Sequence, residues 1–438
     1  MVRFDESNNV IEQEGSRAIL VGVSTGEDIS WSMEELQGLA EAAGAEVIGV
    51  MTQNAERINS ATYIGSGKLE ELSELCSSME ADLVIFNDEL SGMQLRNVED
   101  AVGIKVIDRT ILILDIFADR ASTREGKLQV EMAQLQYRMP RLLGFGRALS
   151  RLGGGIGTRG PGEKKLETDR RHIQSRIDEI RSELKEVRAN RSTQRARRES
   201  SGIPVAALVG YTNSGKSSIM NRLLAMEDRQ DKQVLEKDML FATLDTAQRL
   251  ITLDSNHSFI LIDTVGFVSR LPHSLVQAFR STLEEVNYAD LLIHVVDASF
   301  PDHDLHVQVT EKVMNEIGAG GKPTLLLFNK TDLVPGFRPM GYRKDSLAIS
   351  TKTGEGFDQL LLRIKEELFS DLKRVELLVP YDRGSVVSAL IEKSAPIETE
   401  YLAEGTRLVM ELGEADRNRY RDLIVHGDVP HKEEDDLL

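Results

Sequence analysis

"IPVAALVGYTNSGKSSIMNRLL", residues 203–224, decides how the rest of the chain is to be read. An apolar run leads into a glycine-containing turn, and apolar residues at helical spacing follow. Gly210–Ser217, "GYTNSGKS", fits G-x-x-x-x-G-K-[ST] in the strand–turn–helix setting that this pattern requires. Such a loop turns the backbone N–H groups of Gly210, Tyr211, Thr212, Asn213, Ser214 and Gly215 toward phosphate oxygens. Lys216 supplies a compact positive charge to the β and γ phosphates. The Ser217 hydroxyl is a candidate Mg²⁺ ligand, and Ser218 completes the set.

Moving outward, "LLLFNKTD" chooses the base. Asn329, Lys330 and Asp332 form N-K-x-D after a strand, and Asp332 offers two acceptors to the N1–H and exocyclic amine of guanine. Adenine presents a bare N1 acceptor there, which would leave a buried carboxylate unpartnered at a cost of several kcal/mol. Ser350, Thr351 and Lys352 in "AISTKTG" stand where an S-A-K element would frame the guanine. "FILIDTVGF" supplies Asp263, Thr264, Val265 and Gly266. Asp263 is expected to hold Mg²⁺ through water, and the Gly266 N–H to face the γ phosphate. In "LFATLD", Phe241 and Ala242 precede Thr243, the candidate switch threonine closing on Mg²⁺ and γ phosphate. Lys216, Thr243 and Gly266 are thus the candidate catalytic set, with GTP and GDP as ligands. Phe267 occupies the place of a water-orienting glutamine, so slow intrinsic hydrolysis with outside help is expected. Asn213 is a candidate K⁺ ligand and equally a good turn residue.

The 438 residues suggest about three domains. Short apolar strands alternate with helical patterns over 1–110, which indicates a parallel α/β domain. Leu128, Met132, Leu135, Met139, Leu142 and Leu149 then keep heptad spacing, with Pro140 expected to kink or break the helix. Leu166, Ile173, Ile177, Ile180, Leu184 and Val187 repeat the spacing in a second helix, about 163–198, which would be roughly 54 Å long. The two form an antiparallel coiled-coil arm within 111–200, tipped by the glycine-rich stretch 150–163. A P-loop GTPase domain spans 201–372, and a small α+β domain with an acidic tail fills 373–438, its hairpin turning at Glu404-Gly405. The fold class is therefore α/β with an arm and an α+β appendix.

Charge is distributed unevenly. Residues 141–200 hold 16 Lys+Arg against 8 Asp+Glu, a balance of +8 in a chain whose total is −18. A cationic segment on an acidic protein points to a localised polyanion contact. One cysteine, Cys76, rules out a disulfide within the chain and fits a reducing compartment. No apolar run approaches the roughly 20 residues of a membrane helix. The polar, acidic start is no signal peptide. A cytoplasmic monomer without a membrane span is expected. In "ATYIGSGKLEEL", Gly65-Ser66-Gly67-Lys68 imitates a second phosphate loop, but Thr62 replaces its first glycine and Leu69 its Ser/Thr. A structural turn and a phosphate contact by Lys68 both remain readings of it, with ATP a weaker one.

These motifs together, "YIGSGKLEEL", the arm ending in "GGGIGTRGPGEKKLETDRR", "GYTNSGKSS", "LFATLD", "DTVGF" and "NKTD", resemble the HflX family of ribosome-associated GTPases from about 17 to 370. The resemblance implies binding to the large ribosomal subunit and its rRNA, and GTP hydrolysis stimulated by that contact. It also implies help in splitting stalled ribosomes, and a location partly at ribosome or membrane surfaces. Arg147, Arg151, Gly154, Gly155, Thr158, Arg159, Gly160, Lys164 and Lys165 become the candidate RNA-binding residues. Cationic side chains give salt-sensitive affinity, and glycine permits close backbone approach. A large-subunit assembly GTPase, a GTP-gated regulator of a protease or RNA-decay complex, and RNA remodelling by the first domain are alternatives.

Overall fold

The computed structural model describes residues 15–149, 161–226, 240–241, 246–254, 256–269, 284–339, 342 and 346–427. Four parallel strands open the chain: β1 (Arg17–Ser24), β2 (Glu46–Asn54), β3 (Leu83–Phe86) and β4 (Lys105–Asp108), in the order β2-β1-β3-β4. Between them run α1 (Ser30–Ala42), α2 (Ser66–Ser78) and α3 (Gly92–Val102). Alternation along each strand serves both faces. Ala18, Leu20, Leu83 and Ile85 pack beneath α1, while Ile19, Val21, Val84 and Phe86 face α2 and α3. Helix α3 starts at a capping box of Ser91 and Gln94 and stops at Gly103, whose φ of 73° is left-handed.

A helix that the sequence pattern does not announce, α4 (Arg109–Arg120), follows β4 directly. Leu112, Ile113, Leu114, Ile116 and Phe117 are all buried in it, so it belongs to the core under the first sheet. Burial on nearly all sides removes the amphipathic stripe by which a surface helix is recognised.

The arm consists of α5 (Arg124–Leu149) and α6 (Pro161–Ser201). Arg124 pairs with Glu183 at 2.7 Å and Arg176 with Glu131 at 2.7 Å. One number rises as its partner's falls, so the helices are antiparallel. Leu128, Ile180 and Leu184 form the seam, flanked by Met132 and Leu135. Pro140 does not break α5, the second of the two outcomes expected of it. One reason lies next door. The Arg141 guanidinium donates to the Tyr137 carbonyl at 2.9 Å and stacks over the Tyr137 ring at 3.3 Å, splinting the turn that proline weakens. Residues 150–160 of the tip lie outside the described residues.

The central sheet has the order β10-β9-β8-β5-β7-β6. Its strands are β5 (Val205–Gly210), β6 (Ala247–Thr252), β7 (Ser258–Asp263), β8 (Leu291–Asp297), β9 (Thr324–Asn329) and β10 (Leu347–Ala348). Only β6 runs antiparallel to its neighbour. Helices α7 (Lys216–Met226), α8 (His303–Ile317) and α9 (Phe357–Leu368) cover it. The C-terminal sheet, β12-β13-β11-β14, is antiparallel. It comprises β11 (Lys373–Val379), β12 (Glu398–Leu402), β13 (Gly405–Leu412) and β14 (Ile424–Gly427), with α10 (Gly384–Lys393) and α11 (Glu414–Arg419). Leu402 pairs with Gly405, so the hairpin turns one residue earlier than expected, and β14 is an additional strand.

The first domain and the central one share a core. Tyr211, Phe241, Val265 and Val268 pack into the same cluster as α1, α4 and α5. Trp31 of α1 meets Phe300 edge-on at 5.1 Å, and His306 lies flat between Tyr211 at 3.9 Å and Phe300 at 4.0 Å. Burial pushes His306 down to about 4, and neither ring nitrogen finds a hydrogen-bond partner among the described residues. The unfolded chain takes a proton on this histidine first, near its ordinary value of about 6.5. Stability from the neutral ring is therefore complete above that pH and lost as pH falls toward about 4. His306→Phe keeps the stack and removes the proton site. Denaturant melts between pH 7 and pH 4.5 should show a flatter decline for the variant, by up to about 3 kcal/mol.

Candidate functional site

The phosphate loop joins β5 to α7 and is gripped from several sides. Lys216 is buried, and its ammonium donates to the carbonyls of Tyr211 at 2.7 Å and Gly210 at 3.2 Å. Burial holds its pKa down to about 8, with Asp263 opposing that and Lys330 adding to it. The lysine therefore carries its charge at neutral pH, aimed back at the loop it must serve. Ser217 Oγ donates to Asp263 Oδ2 at 2.6 Å. These are hard oxygen ligands of the kind Mg²⁺ takes. Asn213 is exposed with a φ of 57°, which satisfies its turn role. Thr264 anchors the following segment by donating to the Leu208 carbonyl at 2.6 Å.

The candidate base-reading residues converge on the same loop. Asn329 is fully buried; its amide donates to the Ser214 carbonyl at 2.9 Å and its carbonyl accepts from Thr351 N at 3.1 Å. Gly215 is required here, because a Cβ on it would lie 2.1 Å from Asn329 Nδ2 and its φ is 94°. Ser350 Oγ donates to Asp332 Oδ1 at 2.7 Å, fixing the carboxylate, while Lys330 pairs with Asp297 at 2.8 Å. Lys352 is exposed. Phosphate loop, Asp263, Asn329, Asp332 and Ser350-Thr351 thus share one end of the sheet.

The segment after Asp263 lies on the loop. Thr212 N donates to the Phe267 carbonyl at 2.7 Å and Phe267 N to the Gly210 carbonyl at 3.1 Å, a parallel bridge between Tyr211 and Phe267. A Cβ on Gly266 would come within 2.5 Å of Thr212 Cα and 3.0 Å of Lys216 Nζ. The Phe267 ring is buried among Val209, Ile262 and Met314, away from any attacking water. The side chains of Tyr211 and Phe241 pack toward the first domain, which leaves their backbone groups to the nucleotide side. Phe241 packs edge-on against Phe117 at 4.6 Å while its N–H donates to Thr212 Oγ1 at 2.7 Å.

Ala242 and Thr243 lie outside the described residues, as do Arg151, Gly154, Gly155, Thr158, Arg159 and Gly160. Arg147 falls in α5, and Lys164 and Lys165 in α6. At the imitation loop, Lys68 is held by Glu71 at 2.9 Å and the Gly65 N–H donates to Gln53 at 3.0 Å. Those bonds suit a structural turn.

A buried polar cluster next to the site was missed from the sequence. Arg109 pairs with Glu35, which also accepts from the hydroxyls of Tyr211 and Ser269. Arg109 donates to Asn87 Oδ1 at 3.1 Å and to Ser269 Oγ at 3.2 Å. The one available signal was Trp31, the only tryptophan, one helical turn before Glu35.

Three family profiles match in series: "GTP-binding GTPase N-terminal" over 30–118, "GTP-binding GTPase Middle Region" over 120–198 and "50S ribosome-binding GTPase" over 205–330. A protein named GTPase HflX from Caldanaerobacter subterraneus subsp. tengcongensis is 48% identical over 415 residues, covering 95% of both chains. The GTPase HflX of Escherichia coli K12 is 39% identical over 396 residues, covering 89% of this chain and 91% of its own. A GDP complex of a GTP-binding protein from Sulfolobus solfataricus overlays 81% of this chain and 99% of its own at 24% identity and a TM-score of 0.44. On the strength of the sequence relatives, the chain belongs to the HflX family of GTPases, enzymes that bind and hydrolyse GTP.

Proposed function

We propose that this GTPase works on the large ribosomal subunit. GTP binding sets the geometry of the switch segments, the cationic arm contacts rRNA, and hydrolysis ends the encounter and helps free stalled ribosomes. The observation that carries this reading is the junction of two features. A guanine site built on Asn329, Asp332 and Lys216 shares a core with the domain from which a basic two-helix arm extends. The description "50S ribosome-binding GTPase", matched over 205–330, supports the same partner.

In the mechanism, Asp332 and Ser350 recognise the guanine edge, and Asn329 ties that recognition to the phosphate loop. Lys216 neutralises the β and γ phosphates. Ser217 and Asp263 would hold Mg²⁺, which supplies charge neutralisation between phosphate oxygens. Gly266 leaves room for no side chain beside Lys216, so its backbone N–H is the group that can face the γ phosphate. Phe267, in the place of a water-orienting glutamine, is buried, so slow turnover by the free protein is expected. The subunit would supply the missing order.

Three outcomes are expected. GTP turnover measured with purified large subunits should exceed that of the free protein by at least about tenfold, or about 1.4 kcal/mol off the barrier. An unchanged rate counts against the ribosomal reading. Reversing charge at Arg159, Lys164 and Lys165 together should abolish co-sedimentation with large subunits, with the free protein's nucleotide affinity as control. Asp332→Asn replaces an acceptor with a donor facing the guanine amine. Competition binding should show GTP weakened by about 100-fold and xanthosine triphosphate strengthened.

A further inference from the structure

The strand end at Asp108 and the helix start at Arg109 place two buried charges on adjacent residues, and each serves a different part of the molecule. Asp108 is inaccessible to solvent. Its Oδ2 accepts from Leu90 N at 3.0 Å, from Arg141 Nη2 at 3.1 Å and from the Tyr137 hydroxyl, and its Oδ1 caps α4 through Ile111 N at 3.0 Å. Tyr137 and Arg141 belong to α5, at the point where the arm leaves the first domain. Burial and the Asp108 carboxylate push the Tyr137 hydroxyl pKa far up, so it remains a proton donor to Asp108.

Arg109 looks the other way. With Glu35 it encloses Ser269, two residues beyond Phe267, and the hydroxyl of Tyr211 in the phosphate loop. Ser269 N also donates to the Tyr211 hydroxyl. The carboxyl ends of parallel strands are where open α/β sheets take their ligands. Here that edge holds another domain's phosphate loop and switch. Neither charge can shift alone, because a buried guanidinium or carboxylate that loses its partners incurs a desolvation cost. A displacement of α5 that moves Asp108 therefore moves Arg109 through one peptide unit.

We propose that Asp108 and Arg109 are positioning residues coupling the arm to the nucleotide site, so that force on the arm changes how Tyr211 and Ser269 hold the loop. The proposal rests on the function above only for what the arm meets. The coupling itself belongs to the free protein.

The test is a double-mutant cycle on the full chain, reading the release rate of a fluorescent GDP analogue. Tyr137→Phe removes one of the two α5 contacts to Asp108 and so weakens the arm side of the relay, and Glu35→Gln weakens the nucleotide side. Tyr137→Phe should change GDP release by about fivefold or more in the natural background, the lower range of allosteric couplings, and by less than about twofold when Glu35→Gln is present. Equal factors in both backgrounds, or no effect in the natural one, overturn the proposal. A purely structural loss would act equally in the two. Thermal melting monitors folding, and Ser269→Ala replaces Glu35→Gln should the latter not fold, with the same outcomes. Free protein and nucleotide are the only components, so the result is independent of whether large subunits stimulate turnover.

Discussion

The ion pair between Arg109 and Glu35, both in the first domain, fixes the groups that hold Tyr211 and Ser269 beside the nucleotide site. Both side chains are almost inaccessible to water. Such a pair adds little net stability compared with a well-packed apolar replacement, yet removing one member typically costs about 3–5 kcal/mol. Its value is orientation. Tyr211, Ser269, Asn87 and Ser32 all find their hydrogen-bond partners within this network, and Trp31 and His306 seal it with rings.

That arrangement explains why a single loop carries so much constraint. Asn329 holds it from the guanine side, leaving no space for a side chain at Gly215. Phe267 bridges it from the switch side, and Tyr211 is held from the first domain. The candidate base-reading residues, the switch segment and the interdomain contacts therefore all meet on residues 210–217. The C-terminal domain is tied in differently, through His257, which lies 2.7 Å from Asp254 and 3.0 Å from Glu411 of β13.

What the sequence revealed follows the same physics. The phosphate loop, N-K-x-D and D-x-x-G are legible because each needs particular residue types in a row: glycine for close approach, lysine for charge, aspartate for guanine. The arm is legible from its apolar repeat. Helix α4 is not, because Leu112 through Phe117 are covered on nearly every side and show no stripe. Glu35 and Arg109 belong to no motif, since nothing local announces partners 74 residues apart. Pro140 looked like a break because the Arg141 splint depends on contacts from Leu90 and Asp108. The orientation of Tyr211 away from the phosphates was likewise invisible, as it is set by a helix from another domain.

The core beneath the first sheet includes Tyr211, Phe241, Val265 and Val268, which are synthesised long after α1 and α4. At ordinary elongation rates, on the order of ten seconds separate the last arm-anchoring residue from these later ones. During that interval a nascent first domain has its apolar floor open. Only the arrival of the central domain closes that surface.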